Sequence, residues 1–127
     1  MSCDIARFTI TKGLENTFVF TIKANGSTLP MVIEDNGATP DTFQATIWPL
    51  GPEAVAVPFL TKPLLITDAL AGQVTLTITA AEAALAVVDV GSKADRYYLR
   101  PVYKLIIDCS TLNNGKFIAK VPEIYVD

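Results

Sequence analysis

Residues Gly72 to Thr79, G-Q-V-T-L-T-I-T, alternate more cleanly than any other stretch of this chain. Val74, Leu76 and Ile78 fall on one side, and Gln73, Thr75, Thr77 and Thr79 on the other. This period of two marks a strand with one dry and one wet face. At Thr79 the pattern stops and T-A-A-E-A-A-L-A begins. Thr79 with Glu82 three residues on is a capping box, which predicts a short helix near residues 80–86. The chain then becomes extended again in R-Y-Y-L-R-P-V-Y-K-L-I-I-D, from Arg96 to Asp108. Strand, short helical crossover, long strand and terminal hairpin predict an all-β antiparallel sandwich of two sheets.

Working outward, Ile5–Thr11 reads as a strand followed by a turn at Lys12–Glu15. Asn16–Lys23 follows, with Phe18, Phe20 and Ile22 inward and Thr17, Thr21 and Lys23 outward. Asn25-Gly26 is a hairpin turn signal, with Leu29–Glu34 as the second arm and Pro30 marking an edge or a strand start. Asp35–Asp41 is a loop by composition. Thr42–Trp48 alternates again, placing Phe43, Ala45 and Ile47 on one side and Trp48 on the other, until Pro49-Leu50-Gly51-Pro52 breaks it. Glu53–Leu60 reads as a weaker strand. Thr61–Ala71 reads as an apolar connection whose Asp68–Gly72 end turns into the clear strand.

The C-terminal hairpin admits a register argument. A two-residue Asn114-Gly115 loop would put Lys116 and Lys120 on the face of Leu105 and Ile107. A three-residue loop ending in Gly115 instead sets Leu105, Ile107 and Cys109 beside Phe117, Ala119 and Val121. One slip flips every side chain, so the apolar register is the expected one. Tyr97, Leu99, Pro101 and Tyr103 then point inward, and beyond Pro122 the pair Ile124 and Val126 resumes with shifted phase. The opposite face carries Tyr98, Arg100, Val102, Lys104, Ile106, Ile118 and Lys120. Apolar residues among bases on that face either cover another part of the domain or form a docking surface, and these seven are the candidate interface.

The 127 residues suit one domain spanning 1–127, with half of them hydrophobic and 18% charged. Mean hydropathy is +0.38, yet no apolar run approaches the ~20 residues of a membrane-spanning helix. The excess is expected in a core or an interface, and no membrane partner is expected. A formal charge of −3 lacks the basic footprint of a nucleic-acid binder. The N-terminus has no basic segment followed by an apolar one, so synthesis in a cytoplasm is expected. In that reducing setting Cys3 and Cys109 are expected as separate, reduced thiols, with Cys109 facing the core.

There is no histidine, which removes Ser-His-Asp and Cys-His catalysis and histidine-containing zinc sites. Phosphate-binding glycine motifs are absent, and two cysteines are too few for an all-cysteine zinc site. Glu34, Asp35 and Asp41 are carboxylates of a polar loop, where solvated turn residues are the ordinary case. Asp35-Asn36-Gly37 does not meet the spacing of a calcium loop. The expectation is a chain with no enzymatic activity, no cofactor and no metal. Trp48 and Tyr98, both outward by parity, leave a carbohydrate or host-surface binding module as the alternative reading.

The segments together resemble the small immunoglobulin-like domains of tailed-phage virions, nearest to the N-terminal domain of baseplate upper and tail-fibre attachment proteins. The resemblance is carried by Thr9-Ile10-Thr11-Lys12-Gly13 followed by Thr17–Ile22, and by Gly72 to Leu85, a strand running into a short Ala/Glu helix. Arg96–Leu99 and the Gly115–Phe117 hairpin closure complete it. It covers most of the chain, although the Asp35–Asp41 loop and the Pro49–Leu70 region are longer than the pattern. It implies an immunoglobulin-like sandwich located in the virion. The implied function is that of a structural or adaptor protein of tail, baseplate or capsid decoration, whose partners are other virion proteins in a symmetric assembly.

Overall fold

The computed structural model describes residues 2–3, 8–23, 32–33, 42–50, 57–109 and 117–127, without the side chains of 2, 3, 117 and 118. The strands are β1 (Ser2–Cys3), β2 (Phe8–Ile10), β3 (Asn16–Lys23), β4 (Phe43–Pro49), β5 (Leu60–Asp68) and β6 (Gln73–Ile78). Helix α1 (Ala80–Ala84) follows, then β7 (Val90–Lys93), β8 (Arg96–Leu99), β9 (Tyr103–Cys109) and β10 (Phe117–Val126). Eight strands form one sheet in the order β1-β3-β6-β5-β4-β9-β10-β2, curled until it is nearly a closed barrel. β7 and β8 form a separate two-stranded sheet, a wing beside the barrel.

The all-β expectation holds, with one correction to the antiparallel pattern: β2 runs parallel to β10, Phe8 opposite Ile124 and Ile10 opposite Val126. The reason is arithmetic. β1 pairs antiparallel with the end of β3, so β1 and β2 act as one strand split between the two edges of the sheet. Eight strands less one leaves seven positions, and alternating directions around an odd ring force one parallel contact. Backbone bonds from the Asp127 N–H to the Ile10 carbonyl and from the Lys12 N–H to the Asp127 carbonyl, both 2.9 Å, continue that seam.

The inner face is what the alternation demands. Phe20, Ile22, Val74, Leu76, Ile78, Leu105 and Ile107 are all fully buried, each such side chain contributing about 1.5–3 kcal/mol. Phe8 closes the seam by stacking on Phe18 at 3.8 Å between ring centroids. Asn16, the one buried polar side chain among the described residues, is fully employed. Its Oδ1 accepts from the Thr11 N–H at 2.8 Å, and its Nδ2 donates to the carbonyls of Thr11 and Leu14. That network holds the Lys12–Glu15 turn, where Gly13 adopts φ +81°, open to glycine without cost.

The parity of the hairpin is as expected, since Leu105, Ile107, Ala119 and Val121 are all buried. The pairing, however, is displaced by two residues: Ala119 opposes Ile107 and Val121 opposes Leu105, where a three-residue loop ending in Gly115 sets Ala119 opposite Cys109. The irregularity after Val121 shifts the phase, so that Ile124 and Val126 are the buried residues beyond Pro122. A second irregularity sets Phe117 opposite Asp108 rather than Cys109. The turn at 111–115, the Asn25-Gly26 hairpin and most of its second arm lie outside the described residues. So does the Cys3 side chain; Cys109 is buried, as expected.

Three readings are corrected. Leu60–Asp68 is strand β5, where Thr61–Ala71 was expected as connection; of the expected strand Glu53–Leu60, residues 57–59 are not strand and residues 53–56 lie outside the described residues. The first half of β5 pairs with β4 and its second with β6, with Leu65 opposite Thr75. Alternation survives, but Lys62 holds an inward position and Leu65 an outward one that is 69% exposed, which erases the apolar signal. Second, the long strand from Arg96 is two strands, broken at 100–102, and Val90–Lys93 pairs with the first of them. Third, Tyr97 points outward, 82% exposed, because β8 belongs to the wing and has no core on either side.

The helix is capped as the sequence dictates. Thr79 Oγ1 accepts from the Glu82 N–H at 3.2 Å, while the Thr79 N–H donates to Glu82 Oε1 at 2.9 Å. The same Oε1 accepts from Lys62 Nζ at 2.7 Å, so one carboxylate caps α1 and neutralises the inward lysine of β5. The helix is shorter than expected, ending at Ala84 with Leu85 as its cap. α1 and the wing carry the chain from β6 to β9, which β5 and β4 separate in the sheet: a crossover within one curled sheet, where a crossover between two sheets was expected.

Candidate contact surface

The seven residues read as one face do not form one. Break 100–102 divides them. Tyr98 and Arg100 belong to the wing, whereas Val102 packs partly buried against the core and donates its N–H to the Ile124 carbonyl. Lys104 and Ile106 alternate with buried Leu105 and Ile107 and therefore lie on the outer face of β9. Ile106 sits between Thr46 of β4 and Lys120 of β10, and Lys104 opposes Trp48. The Ile118 side chain lies outside the described residues.

What the fold assembles on the barrel wall is thus Lys104, Ile106 and Lys120, with Trp48, Thr46 and Gln44 beside them and Asp108 at the end of the row. Lys104, Ile106 and Asp108 are half-buried. Burial pushes the Asp108 carboxyl above its ordinary value, since a carboxylate loses hydration there. Trp48 is outward, as parity predicts, yet partly covered. It and Tyr98 sit on different sheets, so the two aromatics do not share one strand ladder.

The wing carries features that sequence reading missed. Gly91 opposes Tyr98, and a Cβ at residue 91 would lie 2.5 Å from Tyr98 Cζ. The tyrosine ring therefore needs a glycine across the strand. Arg100 lies over the same ring, 5.6 Å from its centroid, and 3.8 Å from Asp89. Its guanidinium is held further toward the charged form by Tyr98 and then by Asp89. The connecting turn places Ala94 at φ 52° and Asp95 at φ 63°, a two-residue reversal with both central residues left-handed. Such turns favour Asn-Gly, and Lys-Ala-Asp-Arg gave no signal for one.

Exposed apolar side chains concentrate on the same segment: Leu85, Val87, Val90 and Tyr97 are each about half exposed or more. Among the described residues, no cluster of three cysteine or acidic side chains gathers as a metal site would need. No helix there is long and apolar enough to cross a membrane. The chain matches no protein-family model, and no curated protein matches it.

Proposed function

We propose that this chain is a non-enzymatic structural or adaptor component of a tailed-bacteriophage virion, an immunoglobulin-like domain held in its assembly by protein–protein contacts. The observation that carries the reading is the run of exposed apolar side chains from Leu85 to Tyr97, which lie outside the core that the other described strands bury. Apolar side chains exposed together on one segment, rather than scattered singly, suit a surface for a neighbour.

The immunoglobulin-like assignment draws support from the strand connections. A first strand split between two edges, with its second part parallel to the last strand, suits a sandwich whose sheets are bridged by β5. Tyr103 at the start of β9 accepts a hydrogen bond from the Val87 N–H at 3.0 Å and stacks on Phe59, in the manner of a tyrosine corner. The domain departs from antibody-like members in placing Leu105, not cysteine, two residues further on.

The test is location. A tagged chain purified alone should be monomeric in solution and should appear as repeated, ordered density on particles from the native source. A chain absent from purified particles overturns the reading. Hydrolysis of a glycan or specific binding on a glycan array would point to the carbohydrate alternative instead.

A further inference from the structure

The geometry points to the β7–β8 wing as a strand-addition site, where an extended segment of a partner protein, alternating acidic and apolar residues, adds to one of its outer edges. The inference rests on the assembly reading above and supplies the chemistry of the partner.

Three observations carry it. The wing is a two-stranded sheet, and neither outer edge is paired among the described residues, so each presents backbone donors and acceptors to a new strand. Its two faces differ in kind. Pairing of Val90 with Leu99 and Ser92 with Tyr97 puts Val90, Tyr97 and Leu99 on one face, with Ser92 as its one polar residue; pairing of Gly91 with Tyr98 and Lys93 with Arg96 puts Lys93 and Arg96 on the other, with Tyr98. An added strand alternates its side chains between those faces, so apolar residues would meet the first and carboxylates the second.

The third observation is a cost that the fold leaves uncompensated. Lys93 and Arg96 are directly opposite, and like charges so placed destabilise a hairpin. No carboxylate among the described residues forms an ion pair with either, although the turn between them contains Asp95. The same turn holds two non-glycine residues at positive φ. Costs concentrated at an exposed tip, beside a tyrosine 82% exposed, are what a contact site retains. Charge selects the partner: carboxylates relieve the Lys93–Arg96 repulsion, and a basic strand would worsen it.

The experiment is a titration of the full chain, followed by backbone amide NMR, with a blocked heptapeptide alternating Glu and Val. The expected result is saturable shifts confined to residues 90–99, weakened at least about tenfold by K93E/R96E, since opposed charges carry the recognition. A Lys/Val peptide of the same design should not bind. Shifts mapping to Lys104, Ile106 and Lys120, or no shifts at all, overturn the proposal, as does equal competition by duplex DNA, which would make the tip a general anion site. The two readings fail separately. Peptide binding by a chain absent from particles removes the virion role and leaves the wing site. A chain that enters particles undiminished as K93E/R96E removes the wing site and leaves the virion role.

Discussion

The barrel and the wing are built from similar residues and held by different forces. Val74, Leu76 and Ile78 of β6 are wholly buried, whereas Val90, Tyr97 and Tyr98 of the wing are about half exposed or more. The barrel is fixed by area removed from water, which every inward residue shares. The wing is fixed by local pairs: Gly91 under Tyr98, Arg100 over Tyr98, and the Arg100 N–H to the Asp89 carbonyl at 2.8 Å. Stability therefore concentrates in one region, and freedom to change concentrates in the other.

The comparison breaks most visibly in the core. Leu76→Ala should cost about 2–5 kcal/mol, by lost transfer energy and the cavity left behind. Chemical denaturation measures it, and a loss below about 1 kcal/mol would show that the barrel can collapse around the gap. Next in size is the cap joining α1 to the barrel. Thr79→Ala should cost about 0.5–2 kcal/mol, and an unmoved unfolding midpoint would mean that the Lys62–Glu82 pair alone holds the helix.

Acid unfolding sharpens the same point. Hydrogen bonds from Lys62 and Thr79 hold the Glu82 carboxyl below its ordinary value. Its contribution is thus complete above the unfolded carboxylate range and is lost as pH falls through the folded value. Asp108, raised by burial, has the opposite sign: its ionisation costs stability, and that cost disappears as pH falls. Unfolding midpoints against pH should lose part of their acid slope in Glu82→Gln and steepen in Asp108→Asn.

In the wing, Gly91→Ala should displace the Tyr98 ring and with it Arg100, seen as large shifts of the Tyr98 ring resonances. Because the obstructing atoms are side-chain ends, the melting temperature should move little. The smallest effect is expected for Tyr97→Ala, within about 0.5 kcal/mol. A loss of core magnitude there would show that the wing is part of the fold rather than an attachment to it.

Local rules suffice where a residue's surroundings repeat with the strand. β3, β4 and β6 kept a period of two because their inward sides face one continuous core, and the capping box needs only residues three apart. The parity of β9 against β10 was likewise legible, since only one choice buries Leu105, Ile107, Ala119 and Val121 together, whereas the exact pairing, two residues displaced from that of a three-residue loop, was not. β5 escaped because Lys62 is tolerable inside only when Glu82, twenty residues away, meets it. The wing escaped because nothing in Lys-Ala-Asp-Arg announces a left-handed turn. The candidate face was divided because alternation counted through residues 100–102 assumes a strand that the chain does not continue.

By itself, then, the sequence determined which segments are strands with a dry side, where the short helix starts, and that no histidine chemistry is present. The tertiary structure alone decided that the first strand splits, that an odd ring forces a parallel seam, and that Tyr98 and Arg100 stand apart from Lys104 and Ile106. The division follows from range. Burial periodicity and capping are set by neighbours along the chain, whereas ring closure, ion pairing across strands and the ending of a strand are set by partners that only folding brings near.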